Sequence, residues 1–214
     1  MKWSSYPILT DGLPFVVFIL SLTIMFVFFK FIALSIIFII ITLFMIIFFR
    51  NPKREIPSDE NAIISPADGK IIEIKEEFED RYIKDKVLKI SIFMTLFNVH
   101  VNRAPATGKI LDIKYFKGKF HSANIKKASE ENEKNIILMD VGKKRRLLFI
   151  QIAGMIARRI RCYVKEGDLL LKGEPYGAIL FGSRVELYLP TDVKLKRAKG
   201  EWVKGGETII GYFQ

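Results

Sequence analysis

Tyr176-Gly177-Ala178-Ile179-Leu180-Phe181-Gly182-Ser183-Arg184-Val185-Glu186-Leu187-Tyr188-Leu189-Pro190 consists of two β-type runs interrupted by one Gly-Ser dipeptide. Gly-Ser is common turn chemistry, yet here it falls between strands. A glycine before a serine lets the backbone take a strained conformation and leaves the glycine carbonyl open to the serine's own hydroxyl. The pattern is not the Gly-x-Ser-x-Gly elbow of α/β hydrolases, because position 185 is Val. Outward from this stretch, short strand-like runs separated by Gly, Asp, Asn and Pro cover Lys70–Ile74, Val87–Phe93, Lys109–Tyr115, Asn135–Asp140, Leu147–Ile152 and Thr208–Phe213. No long amphipathic helix breaks them up. The part of the chain beyond Pro57 therefore reads as mainly β, a sandwich or barrel.

The N-terminal part is different in kind. From Leu13 to Phe49 the only charged residue is Lys30. One straight helix over this run would be about 55 Å long, against a hydrocarbon core of roughly 30 Å. Divided at Lys30, the run gives 13–29 and 31–49, so a transmembrane helical hairpin with Lys30 near its tip is expected, residues 1–50 forming the anchor and 51–214 the globular domain. Lys2 precedes the first segment, and Arg50, Lys53 and Arg54 follow the second, which places both ends and the globular domain on the cytoplasmic face of the cell membrane. A cleaved signal peptide does not fit so long an apolar run.

Thirty-four basic residues face 23 acidic ones in the whole chain, and the 31 basic and 22 acidic residues beyond position 50 leave that part at +9. Such an excess favours a polyanionic partner. Beside a bilayer that partner is anionic lipid, which Lys143-Lys144-Arg145-Arg146 or Arg158-Arg159-Ile160-Arg161 could meet. Neither cluster is interleaved with aromatics as a nucleic-acid platform would be, so no nucleic acid is expected. The lone Cys162 cannot form an intrachain disulfide.

Two segments thirty-nine positions apart echo each other: Val164-Lys165-Glu166-Gly167-Asp168-Leu169-Leu170 and Val203-Lys204-Gly205-Gly206-Glu207-Thr208-Ile209. This turn and strand resembles the repeated hammerhead of biotinyl and lipoyl carrier domains, and Ser65-Pro66-Ala67-Asp68-Gly69-Lys70-Ile71 is similar to their opening strand. The resemblance implies a barrel-sandwich domain and a rival function, a membrane-tethered carrier or adaptor. A carrier needs a modifiable lysine at a hairpin tip, and Leu180-Phe181-Gly182-Ser183-Arg184-Val185 has none.

With two histidines, His100 and His121, proton transfer near neutral pH has few candidates. His100 follows an apolar strand, where a structural role is common, but Asn98, Asn102 and Arg103 give it polar company suited to a site. Asp68-Gly69 is ordinary turn composition. Asp68 could equally fix the tautomer of His100 and stabilise its charged form.

Ser65-Pro66-Ala67-Asp68-Gly69, Phe97-Asn98-Val99-His100-Val101-Asn102-Arg103, Gln151-Ile152-Ala153-Gly154 and Phe181-Gly182-Ser183-Arg184, in that order, resemble the phosphatidylserine decarboxylase proenzymes in their short bacterial and archaeal form. The resemblance implies self-cleavage between Gly182 and Ser183 into a β chain, 1–182, and an α chain, 183–214, which stay together as a heterodimer; further dimerisation is left open. Ser183 would be the nucleophile and then the source of a covalent pyruvoyl (pyruvate) group, the only cofactor implied, with no metal. That group would take the amine of an anionic phospholipid as a Schiff base and release carbon dioxide. His100 would act as general base and acid, and Asp68 would orient it. Asn102, Arg103 and His121 would be candidates for contact with the substrate. The same chemistry on archaetidylserine, an ether lipid, is a rival reading. The chain departs from the longer form at Phe97, where a second histidine is usual, and at Phe181-Gly182-Ser183-Arg184, where Leu-Gly-Ser-Thr is usual. Both departures resemble the short form.

Overall fold

The structure, a computed structural model, describes residues 7–123, 127–155, 159–180 and 183–214. Gly182, Lys2 and Arg158, all singled out above, lie outside the described residues. The chain divides into two compact units, 1–53 and 54–214.

In the first unit a 3-10 turn, Thr10–Gly12, leads into helix α1 (Leu13–Phe28), followed by α2 (Ile32–Phe48). Between them Lys30 takes a left-handed conformation, φ 56°. The Phe31 N–H donates to Phe26 O and the Lys30 N–H to Val27 O, both at 3.0 Å, which is the pairing of a Schellman C-cap. Lys30 thus occupies a position that glycine usually takes, and this is why the turn carries no Gly or Pro. The two helices touch through a Thr23–Thr42 hydroxyl hydrogen bond of 2.9 Å and through the Phe26 and Phe38 rings, 4.9 Å apart. Their burial is inverted relative to a water-soluble pair. Thr23, Ser35 and Thr42 are buried, whereas Phe18, Ile24, Phe28, Ile32 and Ile40 are each more than 60% exposed. Thr10–Phe28 is long and apolar enough to cross a bilayer, by length and composition.

The second unit is mainly β. Its strands are β1 (Ala62–Ile64), β2 (Gly69–Glu79), β3 (Asp85–Met94), β4 (Val101–Arg103), β5 (Gly108–Phe116), β6 (Lys134–Asp140), β7 (Arg146–Ala153), β8 (Arg159–Cys162), β9 (Leu169–Leu170), β10 (Pro175–Leu180), β11 (Ser183–Pro190), β12 (Lys194–Leu195), β13 (Trp202–Val203) and β14 (Ile209–Tyr212). One short helix, α3 (Lys127–Glu131), precedes β6. A curled antiparallel sheet runs β13-β2-β3-β11-β7-β6-β5-β9, with irregular register near Ile71 in β2 and Ile110 in β5. Two three-stranded sheets, β4-β10-β8 and β1-β14-β12, complete the domain. All six ranges expected above, and the seventh run Arg184–Leu189 of the opening stretch, are present as strands; six are longer than expected, β2 by five residues at its C-terminal end, and β14 is one residue shorter than 208–213 at each end. The echoed turns are alike in backbone too: Gly167 and Gly206, at the same place in each, have φ of 89° and 86°.

Strand β11 is the centre of the large sheet, and its side chains alternate between two interiors. Val185, Leu187 and Leu189 enter the main core with Ile90, Ile92, Phe149 and Tyr176. Tyr188 joins a second cluster with Val87, Leu148 and Ile150. On that second face Glu186, 1% exposed, sits 3.2 Å from Lys89 Nζ and 3.3 Å from Arg184 Nε. It also accepts hydrogen bonds from Ser129 Oγ (2.7 Å) and Tyr188 Oη (2.9 Å). Burial works against the Glu186 charge, but Lys89, Arg184 and the two hydroxyl donors outweigh it and hold the carboxyl below the usual range.

Removing this carboxylate leaves two buried cations without their partner, so Glu186→Ala is expected to cost about 3 kcal/mol. The folded state keeps Glu186 ionised to lower pH than the unfolded chain does, so folding releases a proton in the acid range and the carboxylate stabilises most above it. Chemical denaturation of the detergent-solubilised full chain should therefore show a wild-type advantage over Glu186→Gln at neutral pH. That advantage should shrink as pH falls through about 4.

Candidate functional site

Antiparallel pairing brings the sequence motifs to one end of the large sheet. Ser183, the first residue of β11, pairs with Met94 at the end of β3 on one side and with Ala153 at the end of β7 on the other. Lys70, the second residue of β2, pairs with Phe93. Hence Ser65–Gly69 leads into this end, residues 97–103 leave it, Gln151–Gly154 stops at it, and Ser183 starts there. The preceding strand, β10, which ends at Leu180, belongs to a different sheet, so Ser183 opens the strand by which the chain enters the large sheet.

Ser183 is wholly buried, and its hydroxyl donates to Met94 Sδ at 3.3 Å. The Asn102 side-chain N–H lies 3.7 Å from the same sulfur. Asn102 Oδ1 accepts from Gln151 Nε2 at 2.9 Å, and Gln151 Oε1 accepts from Asn135 Nδ2 at 3.0 Å. Asn102, Gln151 and Asn135 are all at most 1% exposed. A buried polar chain thus runs from β6 across β7 and β4 to the sulfur beside Ser183. Buried amides are tolerable only when paired in this way, so the chain also fixes the three strands against one another. Gly177 is part of the fit: a Cβ there would stand 2.8 Å from Gln151 Nε2.

His100 is fully buried, and its carbonyl accepts the Ile179 N–H at 3.2 Å, which sets it beside β10 four residues ahead of Ser183. Asp68 is gripped by two different parts of the chain. Arg54 Nη2 donates to both carboxylate oxygens at 2.9 Å, and the Gly205 N–H donates to Oδ1 at 2.7 Å. Arg54 also lies 3.5 Å from Glu207. Arg103, 7% exposed, donates to Gly173 O at 3.0 Å, while its own N–H donates to Pro66 O. Burial and the nearby Arg54 lower the Arg103 guanidinium to about 10, against the pull of Asp68 and Glu207. Arg54, Asp68, Arg103 and Glu207 thus form one mixed cluster under the echoed turn at 203–207.

His121 lies on the other side of Ser183. Asn132 accepts the His121 N–H at 2.8 Å and donates to the His121 carbonyl and to Ala153 O, both at 2.7 Å. The ring is 3.1 Å from Glu131 Oε2. Hydrogen bonds from Lys119 and His121 bring the Glu131 carboxyl down to about 2. Among the described residues no group of three or more His, Cys, Asp or Glu is placed to hold a metal ion.

Sequence reasoning missed Arg54, counting it among the charges that flank the anchor. Its side chain is 6% exposed and committed to Asp68. Gln151 was visible only as a member of a motif, and Asn135 only as a strand start. No local signal marks either, because their partners come from other strands.

Fold and site define a mainly β protein with a buried serine at the end of a sheet to which four separated motifs lead. The family model for phosphatidylserine decarboxylase matches residues 41–211. The chain is 45% identical over 214 residues to the phosphatidylserine decarboxylase proenzyme of Syntrophus aciditrophicus, covering all of both chains. It is 44% identical to that of Syntrophotalea carbinolica, again over all of both, and 42% to that of Geotalea uraniireducens over 99% of each. The chain belongs to the phosphatidylserine decarboxylase family.

If Arg54 is part of this cluster and not a membrane-flanking charge, Arg54→Leu should lower stability by about 3 kcal/mol, because it strands the Asp68 carboxylate. The neighbouring exposed Lys53, changed to Leu, should stay within about 0.5 kcal/mol of wild type. Denaturant midpoints of the two variants check this.

Proposed function

We propose that the chain is the proenzyme of a phosphatidylserine decarboxylase that acts at a membrane surface. The observation that carries this reading is the convergence of the four motifs on Ser183, in a chain that matches the family from end to end. In the processing step Ser183 Oγ attacks the Gly182 carbonyl, and the amide becomes an ester as the Ser183 nitrogen is released. Loss of the Ser183 α-proton expels the carboxylate of residue 182, and water then replaces the nitrogen, leaving ammonia and a pyruvoyl group at position 183.

A serine hydroxyl needs a base, and His100 is assigned that role. Asp68 is assigned to orient His100. Its carboxylate offers about four acceptor sites, and Arg54 and the Gly205 N–H occupy three, which leaves room for an imidazole N–H. The α chain 183–214 would remain in place after cleavage. Its β11 lies between β3 and β7, its β13 pairs with β2 and its β14 with β1, so every sheet contact that holds it comes from 1–182 or from itself.

Position 183 suits a group made in place, since it is buried, fixed by two neighbouring strands and close to a polarisable sulfur. The pyruvoyl group supplies an electron sink for the charge left when carbon dioxide departs. His100 is then assigned to return a proton to the substrate carbon, and Asn102, Arg103 and His121 are assigned to contact the headgroup. The ester or ether linkage of the tails lies away from the reacting carbon, so the chemistry is the same for either lipid.

The inverted burial of α1 and α2 supports a bilayer-crossing hairpin with Lys30 at its tip, and the basic Arg50 and Lys53 after the apolar run support a cytoplasmic side for residues 54–214. Intact mass of the purified protein tests the central proposal. Wild type should give two chains, split before residue 183 with a blocked small chain, and Ser183→Ala should give one. His100→Ala and Asp68→Asn should slow processing by at least about tenfold, in line with loss of a general base or of its orienting group. An uncut wild type would overturn the reading.

A further inference from the structure

We infer that the Ser183 end of the large sheet is itself a membrane-contact rim, in which Phe97 and Met155 enter the interface of a bilayer bearing anionic headgroups. The inference deepens the functional reading above and rests on it. The two strands that flank Ser183 each end in a loop that presents an apolar side chain to solvent. Phe97, three residues past Met94, is 74% exposed, and Met155, two residues past Ala153, is 66% exposed.

The exposure of Phe97 is built in. Asn98 Oδ1 accepts both the Thr95 N–H and the Thr95 hydroxyl at 2.8 Å, and the Asn98 N–H returns to Thr95 O, so residues 95–98 form a closed turn with Phe97 near its tip. The turn leaves most of the Phe97 ring in solvent beside the start of β11, and Met155 adds a second exposed apolar group at the same end of the sheet.

Charge favours a lipid surface as that partner. Exposed Arg159 pairs with Leu180, three residues before Ser183, and exposed Arg161 lies on the same strand. The other basic cluster, Lys143–Arg146, is at the far end of the sheet, where Arg146 pairs with Asp140 and β11 finishes at Pro190. Seven residue steps of strand put it about 24 Å from Ser183.

The test uses the full chain with Cys162→Ser and a single cysteine at Phe97→Cys, Met155→Cys or Gly142→Cys. Each is labelled with an environment-sensitive fluorophore and reconstituted into vesicles of equal parts phosphatidylcholine and phosphatidylglycerol. Lipids brominated on the acyl chain should quench labels 97 and 155 several-fold more than label 142, and aqueous iodide should do the reverse. If 142 is the quenched position, or if 97 and 155 are as open to iodide as 142, the inference is overturned. Disulfide trapping of 97 to 97 between copies, without lipid quenching, overturns it in favour of a second copy of the chain. Intact mass of the same labelled proteins, all of which keep Ser183, separates the two readings. Lipid quenching at 97 in a protein that stays uncut sinks the decarboxylase reading alone, and normal cleavage with 97 in water sinks the rim alone.

Discussion

A strand hydrogen-bonded on both sides cannot shift its register without breaking both ladders, and β11 is such a strand. Its pairing to β3 and β7 runs from Ser183 onward, so the residue that must be positioned most accurately is the first one the sheet controls. Upstream, β10 is tied to β4 and β8 in another sheet. Two residues join the end of β10 to Ser183, so the strand of one sheet ends shortly before the strand of the other begins.

The two faces of β11 impose different demands. On the main-core side, Val185, Leu187 and Leu189 are wholly buried, which fixes which way Ser183 points, because a slip of one residue would exchange the faces. On the other side, Arg184, Glu186 and Tyr188 form a charged network with Lys89 and Ser129. Such a network adds little net stability compared with apolar packing, but it penalises misregister heavily, since each slip would bury a charge without its partner. The apolar face supplies the driving force and the ionic face supplies the specificity. Both belong to the strand that starts at Ser183.

The six long strands of the large sheet were legible because each carries enough Val, Ile, Leu and Phe between turn residues to be read locally, whereas its two-residue edge strands β9 and β13 were not. Strands β4 and β8 were not, being three and four residues long and rich in Arg and Asn; what makes them strands is β10 lying between them. The catalytic candidates were legible as motifs but not as a geometry. Arg54 shows the limit best: beside an apolar helix a basic residue reads as a flanking charge, and only the folded chain shows that Asp68 and Glu207 take it in. Lys30 is the opposite case in the first unit: its charge marked the break between the apolar segments, although the glycine-free Schellman cap that makes the break carries no signal of its own.

Two basic clusters that sequence could not rank are separated by the same strand geometry. Being antiparallel, the sheet sends alternate loops to opposite ends, so Lys143–Arg146, between β6 and β7, is forced away from the end at which β7 finishes and β11 begins. Arg159 and Arg161 are kept near it by pairing with β10. Electrostatic attraction between exposed charges is screened over about 8 Å in physiological salt. A cluster some 24 Å away can bias how the domain approaches a surface, but it cannot hold a headgroup at Ser183. Any cation that acts on a lipid at the reactive residue has to come from the near end of the sheet.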